Sequence, residues 1–319
     1  MRHNDILHLA LMILALAIAY LLPFELLLLA YVVLGPAHYL TEISWLHDRS
    51  YFLPHRGIAV ALVVLAVISI LITDNSWLGF LAWSALIVCA VLAATFSAAE
   101  GVLVFIAGLV MTTIVLSSTP SFALIGILLP TLVHVSLFTL VFMALGAYRS
   151  GSRAQGYLIA VYLAAVAIIL LLPPTAEVHI PALAKAAREH FENVGPALGK
   201  LFGLPDLTLD TRLTSLLAFV YTYHYLNWFI KVDVIRWADV PKLRLALVIA
   251  ASAGTTALYF YNYAWGLILL LVLSFSHVLL EFPLNALSLR QLGGAAAGGL
   301  HAAFAGRNVE APRRTRPRR

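Results

Sequence analysis

The feature that most constrains this chain is where its charges stand. The sequence falls into apolar runs of roughly twenty residues, with most Lys, Arg, Asp and Glu between the runs. A run of that length crosses the ~30 Å hydrocarbon core of a bilayer as a helix, because lipid offers no partner to an unsatisfied backbone N–H or C=O. The runs lie at 5–22, 25–46, 57–73, 77–96, 98–117, 121–148, 156–173, 213–230, 243–262 and 264–284. They predict an all-α fold, a polytopic integral membrane bundle of about ten transmembrane helices. Only 11% of the residues are charged, against ~25% in soluble domains, which excludes a soluble globular chain. The first run meets Pro23 rather than a small-residue cleavage site, so we read it as a retained helix and not a signal peptide. The single cysteine, Cys89, leaves no cysteine-based metal or redox motif.

The basic residues orient the bundle. With the N-terminus inside, 16 of the 20 Lys and Arg fall on one side and 4 on the other. The 4 are Lys185, Arg188, Lys200 and Arg212, all in the loop 174–212. This is the bias expected of a bacterial-type inner (cell) membrane protein with N- and C-termini cytoplasmic. Residues 1–290 read as a single transmembrane domain. In the 174–212 loop, Ile180, Leu183, Ala187, Phe191, Val194, Leu198 and Leu201 recur at steps of three and four, which predicts an amphipathic helix on the outer surface. Residues 291–319 read as a disordered basic tail that touches anionic lipid. Arginine count alone does not argue for nucleic acid, and we expect none. The sequence is silent on oligomeric state.

Inside this apolar frame stand ionisable residues that a bilayer tolerates only for a reason. His38 and Glu42 are four residues apart, and so are His277 and Glu281. Four residues of helix rise about 6 Å and turn roughly 40°, so each pair shares one helix face. His134 and His224 fall in two further spans. Spans 2, 6, 8 and 10 all run in the same direction, and His38, Glu42, His224, His277 and Glu281 are expected to converge in the cytoplasmic half, with His134 just above them near the centre of its span. Imidazoles and carboxylates projected from facing helices build metal sites, so His38, Glu42, His134, His224, His277 and Glu281 are the candidate ligands. Tyr221 and Asn227 are candidate catalytic residues that would orient a ligand or bound oxidant in the same cavity. His179, His190 and His301 are expected elsewhere, and His47 and His55 at the interface beside Arg49 and Arg56.

The Gly35-Pro36-Ala37-His38 segment, His134, the Tyr223-His224 segment and Ser276-His277 together resemble the polytopic membrane proteins of the Brp/Blh type. Those are iron-dependent carotenoid-cleaving dioxygenases with histidines spread over several membrane helices. The His-x-x-x-Glu pairs depart from their pattern. The resemblance implies a non-heme iron cofactor and a lipophilic substrate, a carotenoid or other lipid, reached from the bilayer. The residues themselves leave other classes open. Two histidines could be axial ligands of a heme, and buried His/Glu pairs also serve proton-coupled transporters.

Overall fold

In a computed structural model of the chain, residues 3–71, 132–172 and 211–304 are described, with the isolated positions 106 and 174. Among the described residues all regular structure is helical. In chain order the α-helices are α1 (His3–Leu21), α2 (Pro23–Leu29), α3 (Gly35–His47), α4 (Arg56–Leu71), α5 (Thr139–Ser150), α6 (Arg153–Leu171), α7 (Thr211–Ile230), α8 (Val232–Ile235), α9 (Lys242–Tyr261) and α10 (Tyr263–Phe304). Five stretches are long and apolar enough to cross a membrane: Asn4–Leu21, Pro23–His47, Arg153–Leu171, Lys242–Tyr261 and Tyr263–Ala295. The expected spans 77–96 and 98–117, the start of 121–148 and almost all of the 174–212 loop lie outside the described residues.

One expected span is polar for its length, and one boundary moves. The run 213–230 forms a helix, α7, yet it is not among the five, because Thr214, Ser215, Thr222, His224 and Asn227 lower its hydropathy. It sits inside the bundle, packed against α1, α2, α3 and α6, so it needs no apolar exterior. The last helix also does not stop near residue 284. Pro283 lies within it and the helix continues to Phe304, so the boundary drawn at residue 290 falls inside a helix. Residues 305–319 of the tail lie outside the described residues.

Outward faces carry the apolar surface that lipid requires: Ile13 and Leu14 on α1, Val60 and Val64 on α4, Leu170 and Leu171 on α6, Leu247 and Ile249 on α9 are all exposed. Inside, one cluster joins α1, α2, α6 and α7 around Phe24, Tyr162, Phe219 and Tyr223. A second joins the end of α3 to α4 and α10 around Leu46, Leu62, Phe275 and Leu279.

The segment between α2 and α3 explains how Pro36 is accommodated. Proline has no N–H to give the carbonyl four residues back, and its ring crowds that carbonyl, here Val32. The helix widens into a π turn over Ala30–Leu34. The Val32 carbonyl then accepts a hydrogen bond from Thr256 Oγ1 of α9 at 2.8 Å, so this acceptor is not left orphaned in the membrane. Past α3 the chain turns through Ser50, Tyr51 and Phe52, all at positive φ of 51°, 56° and 55°. This is a left-handed turn that costs on the order of 1 kcal/mol per residue and seats Phe52 beside Trp45.

Asp48, the residue that ends α3, accepts two hydrogen bonds from Arg244 of α9 at 2.7 and 2.6 Å. The Arg244 hydrogen bond holds the Asp48 carboxyl below its ordinary pKa, against a smaller upward push from burial. A depressed folded-state pKa contributes stability that is present above the unfolded value of ~3.9 and is lost as pH falls through the folded one. Both side chains are a third or so exposed, so the contribution is at most about 1 kcal/mol. Asp48→Asn should therefore lower the melting temperature slightly at pH 7, and the gap should narrow as pH falls below ~3.9 toward the lower folded-state pKa.

Candidate metal centre

Four structural segments deliver the site. His38 and Glu42 come from α3, His134 from a second π turn at His134–Phe138, His224 from α7, and His277 and Glu281 from α10. All six are buried, none more than 8% exposed. The four imidazoles form a ring: centroids are 4.8 Å apart for His38–His224 and for His224–His134, 5.0 Å for His134–His277 and 5.4 Å for His277–His38.

The nitrogens face inward. His38 Nε2 lies 3.2 Å from His224 Nε2, and His277 Nε2 lies 3.3 Å from His134 Nε2. Two nitrogens each ~2.1 Å from one ion, at angles near 90–110°, would stand roughly 3.0–3.4 Å apart. One donor atom from each of the four histidines falls within a 4.8 Å set, and so does one from each of Glu42, His277 and Glu281. His277 belongs to both groups. Glu42 Oε2 is 3.0 Å from His38 Nε2, and Glu281 Oε2 is 3.2 Å from His134 Nδ1. The latter is the carboxylate–imidazole contact that orients metal-bound histidines. The two carboxyls also stand within hydrogen-bonding reach of each other. Two carboxylates in such contact need a proton or a cation between them.

One tautomer follows from the hydrogen bonds. The Thr139 hydroxyl donates to the Val135 carbonyl at 2.8 Å, so its oxygen is left to accept from His224 Nδ1 at 2.8 Å. That puts the ring proton on Nδ1 and the lone pair of Nε2 on the cluster side. Thr139→Val removes the acceptor and should weaken metal binding about 10- to 100-fold, while Thr139→Ser keeps it. A chelator-competition titration reads both, and equal affinity in all three proteins would refute the assignment. Tyr39 backs the ring from the other side. It stacks on His277 with centroids 4.3 Å apart and shares a 2.6 Å hydrogen bond with Tyr225. A Cβ on Gly35 would meet the Tyr39 hydroxyl at 3.0 Å, so the glycine makes room for that phenol.

A cavity of about 540 Å³ adjoins the cluster, with His38, Glu42, His224 and Glu281 in its wall beside Trp45, Phe142, Leu158, Trp228 and Leu284. It extends to the helix ends that carry Asn4, Arg49, Arg149 and Gln155, and to Gln291 on α10. Asn227 lines this cavity. Tyr221 does not stand among the lining residues; it packs between Tyr31 and Tyr225. The reason is rotational: six residues of helix turn through about 600°, so Tyr221 and Asn227 lie roughly 120° apart, one turn to either side of His224. His47 is exposed beside Tyr51, His55 is exposed, and His8, on α1, is buried in the cavity wall with Nδ1 3.2 Å from the Tyr223 hydroxyl. His179 and His190 lie outside the described residues, and His301 is on the last turns of α10.

No protein-family model, curated protein or solved structure matches this chain.

Proposed function

We propose that the chain is a membrane-embedded oxygenase that holds non-heme iron in the His38/His134/His224/His277 cluster, with Glu42 and Glu281 completing its charge. The observation that carries the reading is the buried ring of four imidazoles with two carboxyls at its edge, opening onto a cavity large enough for a substrate. Pockets that hold small molecules run from about 300 to 1,000 Å³. Nitrogen and carboxylate donors without thiolate suit a divalent first-row ion, and mixed imidazole–carboxylate sets with open positions suit iron that reacts with oxygen. Two carboxylates would offset the ion's two positive charges, which is what a low-dielectric site requires. When bound, iron would supply one-electron chemistry toward oxygen. The chain's residues would orient the ligands through Thr139 and Glu281, screen the centre with Tyr39 and Trp228, and present Asn227 to the substrate.

The resemblance to carotenoid-cleaving dioxygenases supports the same class, and cleavage of a lipophilic substrate is the reaction it suggests. Elemental analysis and an absorption spectrum of protein purified from iron-replete cells test the reading. Near-stoichiometric iron with no Soret band, and oxygen uptake that iron removal stops, is the expected result. A Soret band would make the histidines heme ligands. Metal-free protein that catalyses pH-gradient-driven uptake would favour the transporter reading and end this one.

A further inference from the structure

The cavity's charges are sorted by depth. At its floor are His38 and His224 with Glu42 and Glu281; nearer the helix ends come Arg49, Arg149 and Lys231, with Asp5 as the one acid among the lining residues there. Helix geometry sets the separation. Seven residues separate Glu42 from Arg49 and His224 from Lys231, a rise of about 10 Å, and ten separate Thr139 from Arg149, about 15 Å. Three different chain segments thus bring cations to one opening, roughly one short acyl chain above the cluster.

Arg149 and Arg49 donate to neutral groups. Arg149 donates to the Gln291 side-chain carbonyl. Arg49 donates to the Trp45 carbonyl at 3.1 Å and lies 3.9 Å over the Trp45 ring. The nearest acid in sequence, Asp48, is engaged by both terminal nitrogens of Arg244. The lining also carries Trp45, Phe52, Phe142, Leu158, Leu284 and Leu287, with Asn227 and Ser288 among its neutral polar groups. A wholly apolar lipid would match this wall but make no use of the cations at the opening.

We propose that the substrate is an anionic amphiphile, a carboxylate or phosphate headgroup bound by Arg49, Arg149 and Lys231 with its apolar chain directed down to the histidine cluster. The inference rests on reading the cluster as the reaction centre, and it narrows the substrate class from any lipophile to one with a charged end. It also makes the opening at the helix ends, rather than the lipid-facing wall, the route of entry. An anchored headgroup fixes which carbon of the chain reaches the cluster, so the depth of the cavity would set the position of attack.

The test uses the full chain in phosphatidylcholine nanodiscs, and equilibrium binding of decanoate, decyl phosphate, decanol and decyltrimethylammonium. Charge-assisted hydrogen bonds contribute about 1.5–3 kcal/mol, which is on the order of tenfold or more in affinity. The expected result is that decanoate or decyl phosphate binds at least about tenfold tighter than decanol, that the cation binds worst, and that the preference shrinks in high salt. The tighter anion identifies the headgroup. The R49Q/R149Q double variant should lose most of the preference while its decanol affinity, which reports an intact cavity, stays the same. Equal binding of anion and alcohol in the wild type overturns the proposal, as does a preference that survives in the double variant. Running the series on iron-stripped protein separates the two readings, since headgroup preference needs no metal, whereas iron content together with iron-dependent oxygen uptake decides the oxygenase reading.

Discussion

Replacing His277 with alanine is expected to take the purified protein from about one bound iron per chain to almost none. His277 is singled out because it belongs to both groups of possible ligands, the four histidines and the Glu42–His277–Glu281 set. Any ion placed in either group loses a donor when this imidazole is removed. His38→Ala breaks only the first group, so it should retain more iron than His277→Ala. His277 also stacks on Tyr39, and a truncated side chain leaves a hole that could loosen the helices by itself. His277→Gln fills much of that volume and should lose iron nearly as completely. His47→Ala, at an exposed position beside Tyr51, should keep a full complement. If His277→Gln binds iron like the wild type, the ion is not in this cluster.

The parts of the site that sequence alone makes legible are those fixed by local helix geometry. A histidine and a glutamate four residues apart on a membrane helix must share a face, and this holds for His38–Glu42 and His277–Glu281 whatever surrounds them. Parallel direction of the helices carrying His38, His134, His224 and His277 follows from counting apolar runs and brings the rings to one depth. What stays hidden depends on how helices meet. The π turns at Ala30–Leu34 and His134–Phe138 shift the register of the residues after them, and an apolar pattern does not encode that shift. Thr139 reads as an ordinary helix residue until its hydroxyl is found between Val135 and His224. Tyr221 and Asn227 both look like neighbours of His224 in sequence, and only the rotation of α7 against its partners puts one in the cavity and the other among tyrosines. The polarity of α7 itself becomes intelligible only from its central place in the bundle.

Gly266→Ala should be among the most damaging methyl additions at the described glycines, although it lies far from the histidines. The α9–α10 hairpin turns at Asn262, whose φ of −143° and ψ of 101° are extended and whose Oδ1 accepts from Trp265 N at 3.2 Å, the cap that starts α10. Gly266 N then donates to the Asn262 carbonyl at 2.9 Å. This tight entry presses α10 onto α9. A Cβ at Gly266 would lie 2.2 Å from Tyr259 Cα and 2.5 Å from Tyr259 N, which are backbone atoms and cannot swing aside as a side chain would. Tyr259 is itself buried, 5.2 Å from the Tyr263 ring, so the helices must part. Overpacking of this kind costs about 1–3 kcal/mol or more. The displacement also reaches the site, because α10 carries His277 and Glu281, and a metal constellation tolerates shifts of only about 0.5 Å. Gly266→Ala is thus expected to lower both the melting temperature and the iron content. Gly254→Ala supplies the contrast on α9: nothing lies within 4 Å of its Cβ, and alanine is favoured over glycine in a helix by roughly 0.5–1 kcal/mol, so that variant should melt at or above the wild type. If the two substitutions shift the melting temperature alike, the close approach of α10 to α9 is not what holds the cluster's fourth wall in place.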